Sequence, residues 1–308
     1  MKRISRSLAL LTALTLGVGL AACSSDKNPG SGGGAPAAAY PVTIGSVTLD
    51  KRPERIVSLG PTATEMLFGI DAGKQVVAAD ELSNYPAGVP TSKLSGYKPN
   101  AEAIAAQNPD LVVLTDDIDK IVEQLTRLKI PAFLVPAAKT IDDTYREIGE
   151  LGKLTGHPAE ATALVDRMRN EMGKLVEDLP ARTKQLTYYY ELDPTLFSVT
   201  SNTFIGSLFT SAGLDNVADE ASKDDNPYPQ LSAEALVQLN PDMIFLADTK
   251  CCAQTKATVA ARAGWSNITA VKTGQIVALD DDVASRWGPR VVDLLRAIVD
   301  AASKAPVG

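Results

Sequence analysis

AEAIAAQNPDLVVL occupies residues 101–114, and AEALVQLNPDMIFL occupies residues 233–246, 132 positions further on. Each puts a short helix-forming stretch with an early glutamate ahead of Asn-Pro-Asp, then runs straight into four apolar residues. Pro109 and Pro241 end the helical stretch, because proline restricts the residue before it and removes an amide donor. The uninterrupted apolar run after each Asp is the pattern of a strand buried on both faces. One helix-then-buried-strand unit stated twice predicts two related α/β lobes in a single chain.

The rest of the sequence extends that pattern in both directions. Arg55–Leu59, Val76–Ala79 and Ala132–Val135 join Leu111–Leu114 as buried strands, with helical spacing over Thr64–Ile70, Ala101–Gln107 and Ile118–Leu128. A second series runs through Leu186–Tyr190, Asn216–Ala218, Met243–Ala247 and Gln275–Leu279. Such alternation predicts parallel-rich, helix-flanked sheets. Between the series, Leu164, Val165, Met168, Met172, Leu175, Val176 and Leu179 mark one face of a helix over Pro158–Leu179. Gly156 can end the helix before it, and Pro158 suits its first turn. At 1.5 Å per residue this helix reaches about 33 Å, enough to join two lobes as a stiff hinge. The predicted organisation is an N-terminal lobe over residues 41–157, an interlobe helix over 158–180 and a C-terminal lobe over 181–308.

The first 22 residues read as a leader. Lys2, Arg3 and Arg6 precede an uncharged apolar run, Leu8–Leu20, too short for a comfortable membrane span. The run closes on Leu20-Ala21-Ala22-Cys23, which resembles the lipobox of bacterial lipoproteins. The resemblance implies cleavage before Cys23, lipid on its thiol and anchorage to the outer face of the bacterial cell membrane. Residues 23–40, rich in Gly, Ser, Pro and Ala, then form a lipidated flexible tether. Without the leader the chain has 27 basic and 37 acidic residues, a balance of −10 that disfavours nucleic acid as a partner.

Several motifs carry a resemblance to a known family. Arg55-Ile-Val-Ser-Leu-Gly-Pro-Thr-Ala-Thr-Glu65, Ser83-Asn-Tyr-Pro86, the paired Glu…Asn-Pro-Asp segments and the single helical linker together resemble the substrate-binding proteins of ABC importers for cobalamin, haem and iron-siderophores. The resemblance runs from about Arg52 to Val299. It implies two Rossmann-like lobes joined by one long helix, with ligand held in the cleft between them. Cobalamin binders are the nearest match: Tyr228-Pro229-Gln230 sits six residues before Glu234, and Asp282, Arg286 and Pro289-Arg290 keep the spacing of that group's C-terminal motif. Tyr228 departs from the tryptophan of the pattern, and Leu82 from its aromatic. The family also implies that Glu102 and Glu234 meet arginines of a permease dimer, which works with an ATPase.

The residues themselves suit a large ligand, flat or ring-shaped, without singling out one. Tyr228, between Pro227 and Pro229, is held on a stiff loop where a phenol can stack on an apolar face. Arg286-Trp287 follows Asp280-Asp281-Asp282 and precedes Gly288-Pro289, which sets both side chains at a strand-to-helix junction. Pro61 and Thr62, between a strand and a helix, either face the cleft or serve as plain capping. Tyr85 and Tyr97 lie in loops of the first lobe, and each is a candidate ligand contact. Tyr188 and Tyr190 share one side of a strand, most simply as packing.

Catalysis finds little support. The sole histidine, His157, sits at a helix boundary, and neither a metal-ligand spacing nor a nucleophile motif is present. No cofactor is implied, and any metal belongs to the ligand, a corrinoid or chelate. Adjacent Cys251 and Cys252 are expected to form a disulfide that stiffens a cleft loop. A ferric-siderophore or haem binder, or a ligand-sensing lipoprotein without an importer, remains an open alternative, because fold does not fix function.

Overall fold

A computed structural model describes residues 39–222 and 226–306. The leader, Cys23 and nearly all of the tether lie outside the described residues. A short antiparallel hairpin, β1 (Val42–Ile44) with β2 (Val47–Leu49), opens the first lobe. Its main sheet contains β3 (Ile56–Leu59), β4 (Val76–Asp80), β5 (Thr91–Leu94), β6 (Leu111–Leu114) and β7 (Ala132–Leu134), all parallel, in the order β5-β4-β3-β6-β7. The second sheet contains β8 (Leu186–Glu191), β9 (Leu214–Asn216), β10 (Met243–Leu246) and β11 (Ile276–Ala278), also parallel, in the order β11-β10-β8-β9. The expected α/β class with two parallel-sheet lobes and a single long connecting helix is the observed one.

The repeated segment has a structural meaning in its Asn and Asp. Asn108 and Asn240 both adopt left-handed backbone, φ 50° and 47°, a conformation that asparagine tolerates better than most residues. Asp110 then accepts from the Glu54 and Arg55 amides, and Asp242 from the Thr187 amide. Each aspartate thereby ties its own strand to the start of the neighbouring central strand, β3 in one lobe and β8 in the other.

The interlobe helix spans Pro158–Glu177 and follows the helix Ile141–Thr155, which Gly156 closes in a left-handed cap at φ 82°. Ala161, Leu164 and Met168 are buried, and Val165, Met172, Leu175 and Val176 pack on the same core. That core does not stop at the lobe boundary. Met66 and Ile148 of the first lobe, Leu164 of the linker, and Tyr188, Tyr190, Leu294 and Ile298 of the second belong to one continuous apolar cluster. Tyr188 stacks on Phe209 with ring centroids 4.1 Å apart, while Tyr189, on the other strand face, meets Trp265 edge-on. A shared core stiffens the lobe angle beyond what one helix can do.

Two expected elements differ. The strand expected over Asn216–Ala218 lies at Leu214–Asn216, and Ala218 already begins a helix, because the Asn216 side chain accepts the Ala218 amide and stops the strand. The helix expected over Ile118–Leu128 is a 3-10 turn, Ile118–Lys120, followed by Ile121–Arg127. Asp119 and Lys120, both at φ 55°, break it, and Asp117 caps the second piece by accepting the Val122 amide.

Candidate functional site at the lobe junction

In the first sheet the winding reverses between β3 and β6, and ligands of such sheets bind outside the carboxyl ends of the strands at that point. Pro61 and Thr62 follow β3 after the single residue Gly60, and Thr115 directly follows β6. All three line a recess of about 320 Å³, whose other walls include Glu81, Leu82, Asn84 and Tyr97 of the first lobe and Asp282, Ser285, Arg286 and Trp287 of the second. Gly60 makes the entry possible: at φ 145° it turns the chain, and a Cβ there would come within 2.4 Å of Thr115.

Local chemistry fixes these side chains. Asp80, buried at the end of β4, accepts from the Gly60 and Leu82 amides and the Ser83 hydroxyl. Ser83 continues through Thr64 to Ser58 in a buried hydroxyl relay. The loop carrying Leu82, Asn84 and Tyr85 is therefore anchored to the helix Pro61–Gly69. In the second lobe, Asp281 accepts from the amides of Thr249, Lys250 and Cys251, joining the loop after β10 to the loop after β11.

The two lobes meet through ions. Asn84 Nδ2 donates to Asp282 at 3.0 Å, and Arg286 donates to Glu65 Oε1 and Asp282 Oδ1, both at 2.7 Å. Arg290 also grips Glu65, at 2.6 and 3.0 Å, and lies over the Tyr85 ring at 4.3 Å. Burial disfavours the Asp282 carboxylate, but bonds from Lys250 and Asn84 and the nearby Arg286 charge hold its pKa below the usual range. Trp287 is held from the helix Ile141–Thr155: its indole N–H donates to Glu147 at 3.2 Å, and its carbonyl accepts from Thr144.

Of the residues expected at the ligand, Pro61, Thr62, Tyr97, Asp282, Arg286 and Trp287 share this recess. Neither Tyr85, which lies under Arg290, nor Tyr228 lines it. Tyr228 is half exposed on a segment paired with the chain that follows β8, where the Ser198 and Thr200 amides donate to Pro229 and Pro227. Phe197, unnoticed in the sequence, is exposed on that same pair of segments. Arg286, a candidate ligand contact, is also held by Glu65 and Asp282. In the sequence Glu65 stands inside a motif, and the signal of its burial is a carboxylate among Ala63, Met66 and Leu67. Cys251 and Cys252 are free thiols, contrary to the expected disulfide. The Asp281 carboxylate and the Asp248 carbonyl, which accepts the Cys252 amide, already hold that loop.

The winding reversal of the second sheet, between β8 and β10, is filled from within. Arg262 pairs with buried Glu191 through two bonds of 2.6 Å. Buried Asp248 stands beside Glu191, and desolvation together with that neighbour pushes its pKa up to about 7.

Two α/β lobes that share a core and enclose a recess at their carboxyl ends define a cleft-type binding protein. The chain matches the family described as periplasmic binding protein over residues 56–283, and it belongs to that family. It is an ABC-importer substrate-binding protein, a class of non-catalytic binders. A "Cobalamin-binding protein" of Halobacterium salinarum is 30% identical over 264 residues, 83% of this chain and 71% of that one. The "Uncharacterized ABC transporter substrate-binding lipoprotein YvrC" of Bacillus subtilis is 29% identical over 277 residues, 85% of each chain. Among solved structures, a possible iron-binding (periplasmic solute-binding) protein of Staphylococcus epidermidis superposes with a TM-score of 0.72 at 26% identity, over 82% of this chain and 100% of that one.

Proposed function

We propose that the protein captures cobalamin or a related corrinoid between its lobes and delivers it to a permease dimer driven by an ATPase. The observation that carries this reading is the charge of the recess. Arg286 is the sole cation among its described lining residues, and its donors are already directed to Glu65, Asp282, Asn84 and the Leu82 carbonyl. Glu81 and Asp282 add negative charge. Haem carboxylates or an anionic ferric siderophore meet no available counter-charge here, and burying charge without a partner is costly. A corrinoid with no net charge and a fringe of amides instead finds hydroxyls, carboxylates and aromatic surface.

A recess of about 320 Å³ takes an edge of such a ring, not the whole. The remainder rests on the apolar side chains exposed at the carboxyl ends of the strands: Leu82, Tyr85 and Tyr97 from one lobe, Phe197 and Tyr228 from the other. In this reading Pro61, Thr62, Asp282, Arg286 and Trp287 contact the ligand edge. Glu102 and Glu234 dock the permease, and lipid on Cys23 keeps the exported protein at the outer face of the cell membrane. The similarity to a cobalamin-binding protein and to a substrate-binding lipoprotein supports both halves.

Trp287 lines the recess while Trp265 is fully buried in the second lobe, so a Trp265→Phe protein reports the site through one indole. Saturable quenching by cyanocobalamin is the expected result. Quenching by ferric siderophores or hemin without a response to corrinoids overturns the proposal.

A further inference from the structure

Glu65 is an unusual residue for its position. It projects from the helix Pro61–Gly69 with a side chain 1% exposed, among apolar neighbours, and both of its oxygens face the second lobe. Arg286 reaches it at 2.7 Å from the recess side, and Arg290 reaches it at 2.6 Å from behind. Asp282, 26% exposed, is the only other carboxylate paired with Arg286 among the described residues, and it also serves Lys250. Two partly buried arginines thus share one fully enclosed glutamate.

We infer that Glu65 is the specificity-determining residue of the cleft: without touching ligand, its carboxylate cancels Arg286 and makes the recess reject anions. This rests on the reading of the recess as the ligand site. The physical ground is that charges a few ångströms apart interact strongly where water is excluded, so a full negative charge at Glu65 offsets what Arg286 offers a ligand. With an uncharged side chain of the same shape at position 65, Arg286 keeps only Asp282 as an ion-pair partner, and Arg290 keeps only the charges of Asp280 and Asp282, with which it forms no ion pair. The recess then carries a surplus positive charge facing the ligand. A residue that merely held the lobes together would, when altered, weaken every ligand. A charge filter changes the ranking of ligands.

The test is fluorescence titration of the wild-type protein, Glu65→Gln and Asp282→Asn with cyanocobalamin and with hemin, whose carboxylates make it anionic. In folded Glu65→Gln the ratio of hemin to cyanocobalamin affinity should rise by about tenfold or more. Asp282→Asn removes the second partner of Arg286 from a partly exposed position. It should shift the ratio in the same direction by less, and it decides the matter if circular dichroism shows that Glu65→Gln does not fold. An unchanged or lowered ratio in the folded variant overturns the role of Glu65. A wild-type protein that binds neither ligand overturns the reading of the recess itself, and the role of Glu65 with it.

Discussion

The indole N–H of Trp287 in the second lobe donates to the Glu147 carboxylate of the first at 3.2 Å, across the junction where the recess lies. Glu147 Oε1 has no hydrogen bond among the described residues, and only the Arg146 guanidinium approaches it, at 3.6 Å. Burial pushes this carboxyl from an ordinary 4.5 up to about 7, against the opposing pull of Arg146 and the Trp287 bond.

A raised pKa means that the folded protein keeps this proton where the unfolded chain has lost it. The stability it contributes is full below about pH 4.5 and disappears as pH rises through about 7. Glu147→Gln keeps an acceptor for the indole and cannot ionise. Relative to wild type, the variant should gain stability between pH 5 and pH 8, by up to about 3 kcal/mol. Asp248, also near 7, titrates in both proteins and drops out of the difference. Thermal melts at several pH values check this, and a difference that stays constant across the range refutes it.

The shared glutamate makes Arg286 and Arg290 interdependent. Arg286→Ala leaves Arg290 on Glu65, so its cost to stability should fall below the roughly 3–5 kcal/mol of an orphaned buried charge. Arg290→Ala should behave likewise. The double variant strands Glu65 and should lose more than the sum of the single losses. Urea denaturation of the four proteins measures this, and simple additivity would show that Glu65 does not couple them.

The adjacent thiols give a chemical prediction. The bond with Cys252, aided by burial, pushes the Cys251 thiol up to about 12, so little of it is thiolate at neutral pH. In the domain beginning after Cys23, iodoacetamide should modify Cys251 at least about tenfold more slowly than the unfolded chain. Mass analysis should find both thiols reduced. Alkylation at the rate of a free cysteine would contradict the arrangement.

The strands and the linker were legible because they rest on local patterns. Leu111–Leu114 and Met243–Leu246 are uninterrupted apolar runs, and Gly156 and Pro158 punctuate the joint between two helices. The recess was legible in part: Pro61, Thr62, Asp282, Arg286 and Trp287 lie at strand ends, where sequence order alone locates them. The occupancy of Arg286 was not. Glu65 and Arg286 are 221 positions apart, and only the packing of two lobes tells whether a cleft arginine is free or already paired. For the same reason Glu147 was invisible behind Trp287, 140 positions away. Asn108 and Asn240 show the converse, a repeat read as helix ends that also encodes left-handed turns and strand ties.

What the repeat leaves unexplained is its glutamates. Asn100 caps one short helix by accepting the Ala103 amide, and Ser232 caps the other by accepting the Ala235 amide, so Glu102 and Glu234 occupy the same position after the cap. Both are exposed and form no ion pair among the described residues. A carboxylate in a first helical turn gains typically only about 0.3–1 kcal/mol from the helix dipole at the surface, and the side-chain caps are already present. Two equivalent carboxylates on two related lobes match a partner with two-fold symmetry and basic side chains, because charge complementarity sets encounter rate and orientation. Glu102→Ala with Glu234→Ala should therefore leave ligand affinity and melting temperature close to wild type, while uptake through the cognate importer falls. Each single variant should show a smaller loss. Uptake at the wild-type level in the double variant would reduce the glutamates to remnants of shared lobe architecture.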